Sequence, residues 1–221
     1  MDKVASEIKE EKIGLLTTVQ FLNQLKQLKK HLSSSKKVFL AESDFRALEK
    51  GQVLGCDVEG PKSIKKDVDA FLYLGSGVFH PIALALETEK PIYIANPTTE
   101  EVSLMKEEYR WNYLKLLERM KKGFATAKKI GILVSTKPGQ KQEEAAKKVK
   151  KLIEKKGKTA YMFLFDTLVP EQMLNFMDID AWVNTACPRI AIDDAEKFDK
   201  PVVNVTDAFQ ILKGLGAKND N

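Results

Sequence analysis

The sequence says part of itself twice, and that repetition limits the fold more than any other feature. Lys12-Ile13-Gly14-Leu15-Leu16 returns as Lys129-Ile130-Gly131-Ile132-Leu133. Asp67-Val68-Asp69-Ala70-Phe71 returns as Asp178-Ile179-Asp180-Ala181-Trp182, and Lys90-Pro91-Ile92 as Lys200-Pro201-Val202. Matches in the same order at nearly constant offset indicate two copies of one unit, not one continuous sheet. Within each copy, short apolar runs rich in β-branched residues alternate with segments whose apolar positions recur at helical spacing. Strand-helix alternation implies parallel strands with helices on both faces. The expected fold class is therefore α/β: two similar three-layer α/β/α units with mostly parallel four-stranded sheets, related by internal duplication.

The first copy reads as strands at 13–19, 38–40, 70–74 and 91–95, with helices along Phe21 to Leu32 and Pro81 to Leu86. An irregular, glycine-containing segment runs from Glu42 to Gly60. No strong breaker precedes Gly123 in 98–129, which reads as one or two crossover helices, with domains at 1–105 and 106–221. The second copy reads as strands at 130–134, 159–164, 181–183 and 201–205. Its helices are expected over 142–156, closed by Gly157, and over 170–176 and 188–197.

A chain of 221 residues can bury one large or two small cores. No stretch approaches the roughly 18 apolar residues that cross a bilayer. The charged opening from Met1 to Lys12 lacks the apolar centre of a secretory signal, so a cytoplasmic protein without membrane association is expected. The net charge of +5 comes from lysine runs spaced like solvated helix faces, and scarce arginine argues against direct nucleic-acid binding.

Two cysteines far apart in such a chain read as thiols or ligands before a disulfide. Cys187 follows the apolar run Ala181-Trp182-Val183 and precedes Pro188, which places it at an expected helix start. The partial positive charge there, with Arg189 nearby, would favour a thiolate. Cys56 sits between Gly55 and Asp57 in the irregular segment. Cys187 could instead be a small buried residue ending a strand; converging, the two cysteines would form half of a zinc site or part of an iron-sulfur cluster.

In open parallel sheets ligands collect beyond the carboxyl ends of the strands. The loops Gly75-Ser76-Gly77 to His80, Lys137 to Lys141 and Cys187 to Arg189 should all lie there, and two such units facing each other would share a cleft. Lys137-Pro138-Gly139-Gln140-Lys141 offers backbone amides at a helix start and suits a carboxylate or phosphate; a plain strand-to-helix turn fits it equally. Arg189 could clamp a carboxylate with its fork. His80 is a base or ligand candidate against a capping or packing role, and Asp193-Asp194 are expected to face solvent.

The longer strings are more specific. Gly51-Gln52-Val53-Leu54-Gly55-Cys56-Asp57-Val58, Phe79-His80-Pro81, Ser135-Thr136-Lys137-Pro138-Gly139-Gln140 and Asn184-Thr185-Ala186-Cys187-Pro188-Arg189-Ile190-Ala191-Ile192-Asp193-Asp194 occur in that order. Together they resemble the archaeal diphthamide-biosynthesis family, the 2-(3-amino-3-carboxypropyl)histidine synthases, over essentially the whole chain. The resemblance implies an enzyme that works as a dimer, with three similar α/β domains, each giving one cysteine to a [4Fe-4S] cluster. It further implies reductive cleavage of S-adenosylmethionine, as co-substrate, to a 3-amino-3-carboxypropyl radical that is transferred to a histidine of translation elongation factor 2.

By that resemblance Cys56 and Cys187 are cluster ligands, and Gln140, Arg189, Gly139 and Lys137 hold S-adenosylmethionine in a pocket lined by Gly75, Gly77 and His80. Two departures are expected to matter. The first of the family's domains has no counterpart here, so the third cysteine would come from a separate polypeptide, and Ser76 stands where the family carries an aspartate. A non-catalytic fragment or scaffold of the same fold is the alternative. The related quinolinate synthase architecture fits less well because of the Asn-Thr-Ala-Cys-Pro-Arg string.

Overall fold

In the computed structural model, which describes residues 2–43 and 46–214, the chain divides into two compact units, Met1–Asn112 and Tyr113–Asn221. The first opens with helix α1 (Asp2–Glu7), followed by β1 (Lys12–Thr17), a short 3-10 turn, α2 (Leu22–Leu32) and β2 (Lys37–Leu40). It continues through α3 (Glu59–Ser63), β3 (Ala70–Leu74), α4 (Phe79–Ala85), β4 (Ile92–Asn96) and β5 (Glu101–Leu104). Helix α5 (Glu107–Thr126) carries the unit boundary. The second unit then runs through β6 (Lys129–Ser135), α6 (Glu143–Lys155), β7 (Thr159–Phe165) and a 3-10 helix at Pro170–Asn175. It ends with β8 (Ala181–Asn184), α7 (Ile190–Asp193), a 3-10 turn at Ala195–Lys197, β9 (Val202–Asn204) and α8 (Val205–Gly214).

Strand order is β2-β1-β3-β4-β5 in the first sheet and β7-β6-β8-β9 in the second, with every neighbour parallel except β4 and β5. The duplication is visible atom by atom. Asp69 accepts the Lys12 amide at 3.0 Å in the first unit, and Asp180 accepts the Lys129 amide at 2.8 Å in the second. A methyl added to Gly14 would meet the Phe71 ring at 2.6 Å, and one added to Gly131 the Trp182 ring at 2.2 Å. In each copy the glycine of the central strand makes room for an aromatic ring on the neighbouring strand.

Both faces of the central strands of each sheet are buried, as βαβ crossovers require. In the first, Ile13, Leu15, Ala70 and Leu72 pack with Leu25, Leu28 and Leu32 of α2, while Leu16 and Phe71 point to the opposite face and are equally buried. In the second, Val149 and Ile153 of α6 and Ala208 and Leu212 of α8 close over Ile130, Ile132 and Val183.

Several sequence expectations change. The stretch 98–129, read as helix throughout, contains β5, so the first sheet has five strands, not four. The Asn96 side chain accepts the amides of Thr98 and Thr99, at 2.9 and 3.4 Å, and Glu100 takes a left-handed φ of 57°. This tight turn reverses the chain against β4, and local helix propensity loses to the ladder it permits. The expected helix 188–197 shrinks to α7 and a 3-10 turn, and 170–176 is 3-10 rather than α. The last strand stops at Asn204, where α8 begins. Among the described residues no helix is long and apolar enough to cross a membrane.

Candidate functional site: two cysteine loops at the carboxyl edges of the sheets

In the first unit the segment after β2 folds back onto the end of β1. The Thr17 amide donates to the Gly51 carbonyl at 2.8 Å and the Val53 amide to the Thr17 carbonyl at 2.8 Å. Gly51 makes this possible: its φ is 78°, and a side chain there would strike Leu25 and Leu40. Beyond it, Leu54 and Asp57 exchange amide-to-carbonyl bonds of 3.1 Å each, leaving Gly55-Cys56 as a two-residue tip.

The Asp57 carboxylate, 2% exposed, fastens this tip. It accepts the amides of Arg46 and Ala47 at 2.8 Å, that of Glu59 at 3.1 Å, and the Ser43 hydroxyl at 2.9 Å. Burial pushes its pKa up, but the backbone amides of Ala47, Arg46 and Glu59 and the Ser43 hydroxyl outweigh burial and hold the carboxyl below its ordinary value. Cys56 is a free, half-buried thiol, and the Arg46 Nη1 donates to its Sγ at 3.7 Å.

The Gly75 to His80 loop lies against the same tip. A methyl on Gly55 would meet the Phe79 ring at 2.6 Å, so the residue before Cys56 is the floor on which that aromatic rests. The Tyr73 hydroxyl and His80 Nδ1 are 3.1 Å apart, and burial raises the Tyr73 pKa, which keeps the phenol protonated and able to donate. Gly75 is buried beneath the Tyr73 ring, which a methyl there would meet at 2.6 Å, whereas Gly77 is exposed. Tyr73 carries no motif; its place at the end of an apolar strand, seven residues before the histidine, was the available signal.

In the second unit Cys187 lies three residues beyond Asn184, the last residue of β8. Its loop hangs on two asparagines: Asn184 Nδ2 donates to the Cys187 carbonyl and to Asn204 Oδ1, each at 2.8 Å, and Asn184 Oδ1 accepts the Ala186 amide at 3.0 Å. Asn204 Nδ2 donates to the Pro188 carbonyl at 3.1 Å. Thr185, 1% exposed, donates its hydroxyl to the Leu133 carbonyl at 2.8 Å. Cys187 is likewise a free, half-buried thiol.

The expected helix start at Cys187 is absent. The Ile190 amide turns back to the Cys187 carbonyl at 3.1 Å, and α7 begins only at Ile190 and lasts one turn. Side-chain capping, not an aligned run of peptide dipoles, shapes this loop. Asp193 also departs from expectation. Arg189, 5% exposed, grips it with Nε to Oδ2 at 2.6 Å and Nη2 to Oδ1 at 2.5 Å, and the Tyr113 hydroxyl donates to Oδ1 at 3.0 Å. Burial raises the Tyr113 pKa, and the Asp193 carboxylate adds to the effect.

At the Lys137 to Lys141 loop, Gly139 takes a φ of 77°, which lets the amides of Gln140 and Lys141 both close on the Lys137 carbonyl at 3.1 Å. Those two amides, expected to face a ligand, are therefore used within the turn. Lys137 and Gly139 are exposed and Gln140 half-buried, and α6 begins with Glu143 and Glu144, whose charges complement the helix dipole themselves.

The donor set fits part of an iron-sulfur site. Each unit presents one free thiol on a loop fixed by a buried polar side chain beyond the carboxyl ends of its strands. Among the described residues no three His, Cys, Asp or Glu side chains gather as a metal-binding group.

Residues 1–220 match the family model described as "Putative diphthamide synthesis protein". The chain is 34% identical over 214 residues to the 2-(3-amino-3-carboxypropyl)histidine synthase of Pyrococcus horikoshii, covering 95% of this chain and 60% of that protein. It is 32% identical over 202 residues to the synthase of Methanocaldococcus jannaschii, covering 88% and 57%. The crystal structure of Dph2 from Pyrococcus horikoshii with a 4Fe-4S cluster superimposes with a TM-score of 0.83 at 30% identity, covering 100% of this chain and 62% of that one. The chain thus spans about three fifths of the length of these relatives.

Proposed function

This chain belongs to the diphthamide synthesis protein family, and on that premise we propose that it is part of a [4Fe-4S] enzyme acting in the first step of diphthamide biosynthesis. The reaction proposed is transfer of a 3-amino-3-carboxypropyl group, as a radical, from S-adenosylmethionine to a histidine of translation elongation factor 2. When bound, the cluster supplies the electron that cleaves the sulfonium. The observation that supports this reading is that Cys56 and Cys187 are each a free thiol on a polar-anchored loop past its sheet's carboxyl edge.

In this reading the chain's own residues bind and orient. Cys56 and Cys187 serve as ligands, and a third thiolate comes from a domain outside these 221 residues. Asp57 and the Asn184-Asn204 pair fix the two ligand loops before assembly, which reduces the ordering cost of binding. Arg189 and Gln140, with the backbone near Gly139, are assigned to the carboxylate of S-adenosylmethionine, Lys137 to the same co-substrate, and Gly75, Gly77 and His80 to the lining of its pocket. Because Asp193 already occupies two donors of Arg189, that arginine must share its fork between Asp193 and the substrate. The partners are the elongation factor, the polypeptide carrying the third cysteine and further subunits of the oligomer, and the reaction is placed in the cytoplasm.

Anaerobic reconstitution with iron and sulfide, read by thiolate-to-iron charge-transfer absorbance and by electron paramagnetic resonance after reduction, tests the proposal. It is run on this chain alone and with the third-cysteine polypeptide. The expected result is a [4Fe-4S] signal that needs the partner and is lost in Cys56→Ala and in Cys187→Ala. No cluster under either condition would leave a non-catalytic scaffold as the better account.

A further inference from the structure

The Cys56 sulfur has a cationic neighbour whose position is built into the loop. Arg46 Nη1 donates to Sγ at 3.7 Å, while the Arg46 backbone amide donates to Asp57 Oδ2 at 2.8 Å. Asp57 is the residue next to the cysteine, and its carboxylate is 2% exposed. The main chains on both sides of the N–H···S contact are therefore tied to Asp57, that of Cys56 through the Leu54-Asp57 turn and that of Arg46 through its amide, which brings the two side chains within reach of each other.

A guanidinium beside a ligand sulfur discriminates between metal cargoes. It stays protonated throughout, so it repels a bare divalent cation. A [4Fe-4S] core ligated by thiolates carries net negative charge, and reduction adds one electron to it. A fixed cation and an N–H···S bond stabilise the reduced form more than the oxidised one, and hydrogen bonds to cluster sulfurs are among the levers that set reduction potential.

We propose that Arg46 is a positioning residue for the cluster, hydrogen-bonding the Cys56 sulfur and raising the reduction potential of the bound [4Fe-4S] group. This rests on the function proposed above. The test uses the assembly reconstituted with the third-cysteine polypeptide, comparing wild type with Arg46→Met, which keeps the stem alone, and Arg46→Lys, which keeps a charge and a donor but not the fork. Iron content and absorbance establish that the cluster is present, and an electron paramagnetic resonance-monitored redox titration reads its midpoint potential.

The expected result is a midpoint shifted to more negative potential in Arg46→Met, with a smaller shift in the same direction in Arg46→Lys, at wild-type iron content. A merely structural role would alter iron content or folding and leave the potential of the cluster that forms unmoved. If Arg46→Met holds no cluster, the Arg46→Lys shift decides. Wild-type potential in every variant that holds a cluster overturns this inference alone. Failure of the wild type to build a cluster overturns the function proposed above and this inference with it.

Discussion

At the scale of single residues, the two cysteine loops owe their shape to buried polar side chains. Asn184 is 1% exposed and makes three hydrogen bonds, two of them to the backbone of the loop that carries Cys187. Asn184→Ala would strand the Ala186 amide and leave the Cys187 carbonyl with the Ile190 amide alone, and leaving a polar group of this kind unpaired costs roughly 1–3 kcal/mol. Urea denaturation should show a loss of about 2 kcal/mol, against a change within about 0.5 kcal/mol for an exposed control such as Lys148→Ala. Asp57 makes a pH-dependent contribution. Its folded pKa lies below the ordinary 3.8, so its stabilisation is complete above that value and fades as pH falls through the folded pKa. The difference in unfolding free energy between wild type and Asp57→Asn should stay constant above about pH 5 and shrink below about pH 4. A difference independent of pH over that range would show that the lowered pKa contributes nothing.

At the scale of elements, the strand interiors were legible and the connections were not. β3 was readable to the residue because Ala70 to Leu74 is apolar throughout, the mark of a strand buried on both faces. The segment holding β5 was misread because Glu101-Val102-Ser103-Leu104 borders the helix-favouring run of α5, and only the Asn96 turn places it beside β4. The run after Cys187 shows the reverse: a proline and a good helical pattern produced a single turn, since the loop carbonyls of Cys187 and Pro188 are held by Asn184 and Asn204. Close packing between strands carries its own prediction. Gly131→Ala drives a methyl into the Trp182 ring, which is 0% exposed, and overpacking of this kind costs about 1–3 kcal/mol. The denaturation midpoint, followed by Trp182 fluorescence, should fall accordingly; an unchanged midpoint would show that the ring shifts without penalty.

At the scale of the whole molecule, the repeat in the letters became two units with the same central strand order, and the sequence established this because identical contacts need identical residue types. Gly14 with Phe71 and Gly131 with Trp182, like Asp69 with Lys12 and Asp180 with Lys129, serve one packing scheme in two places. By itself the sequence also determined the family, the α/β class and which two residues carry thiols, because those depend on residue identity and on periodicities of two and 3.6. What surrounds each thiol was decided by tertiary structure alone. Arg46 reaches Cys56, Phe79 rests on Gly55, Asn204 steadies the Cys187 loop, and Asp193 takes up the Arg189 fork. Hydrogen bonds act over about 3 Å and packing contacts over about 4 Å, while these partners stand up to 24 residues apart in the chain, as with Phe79 and Gly55, so only the fold that closes the distance can choose them.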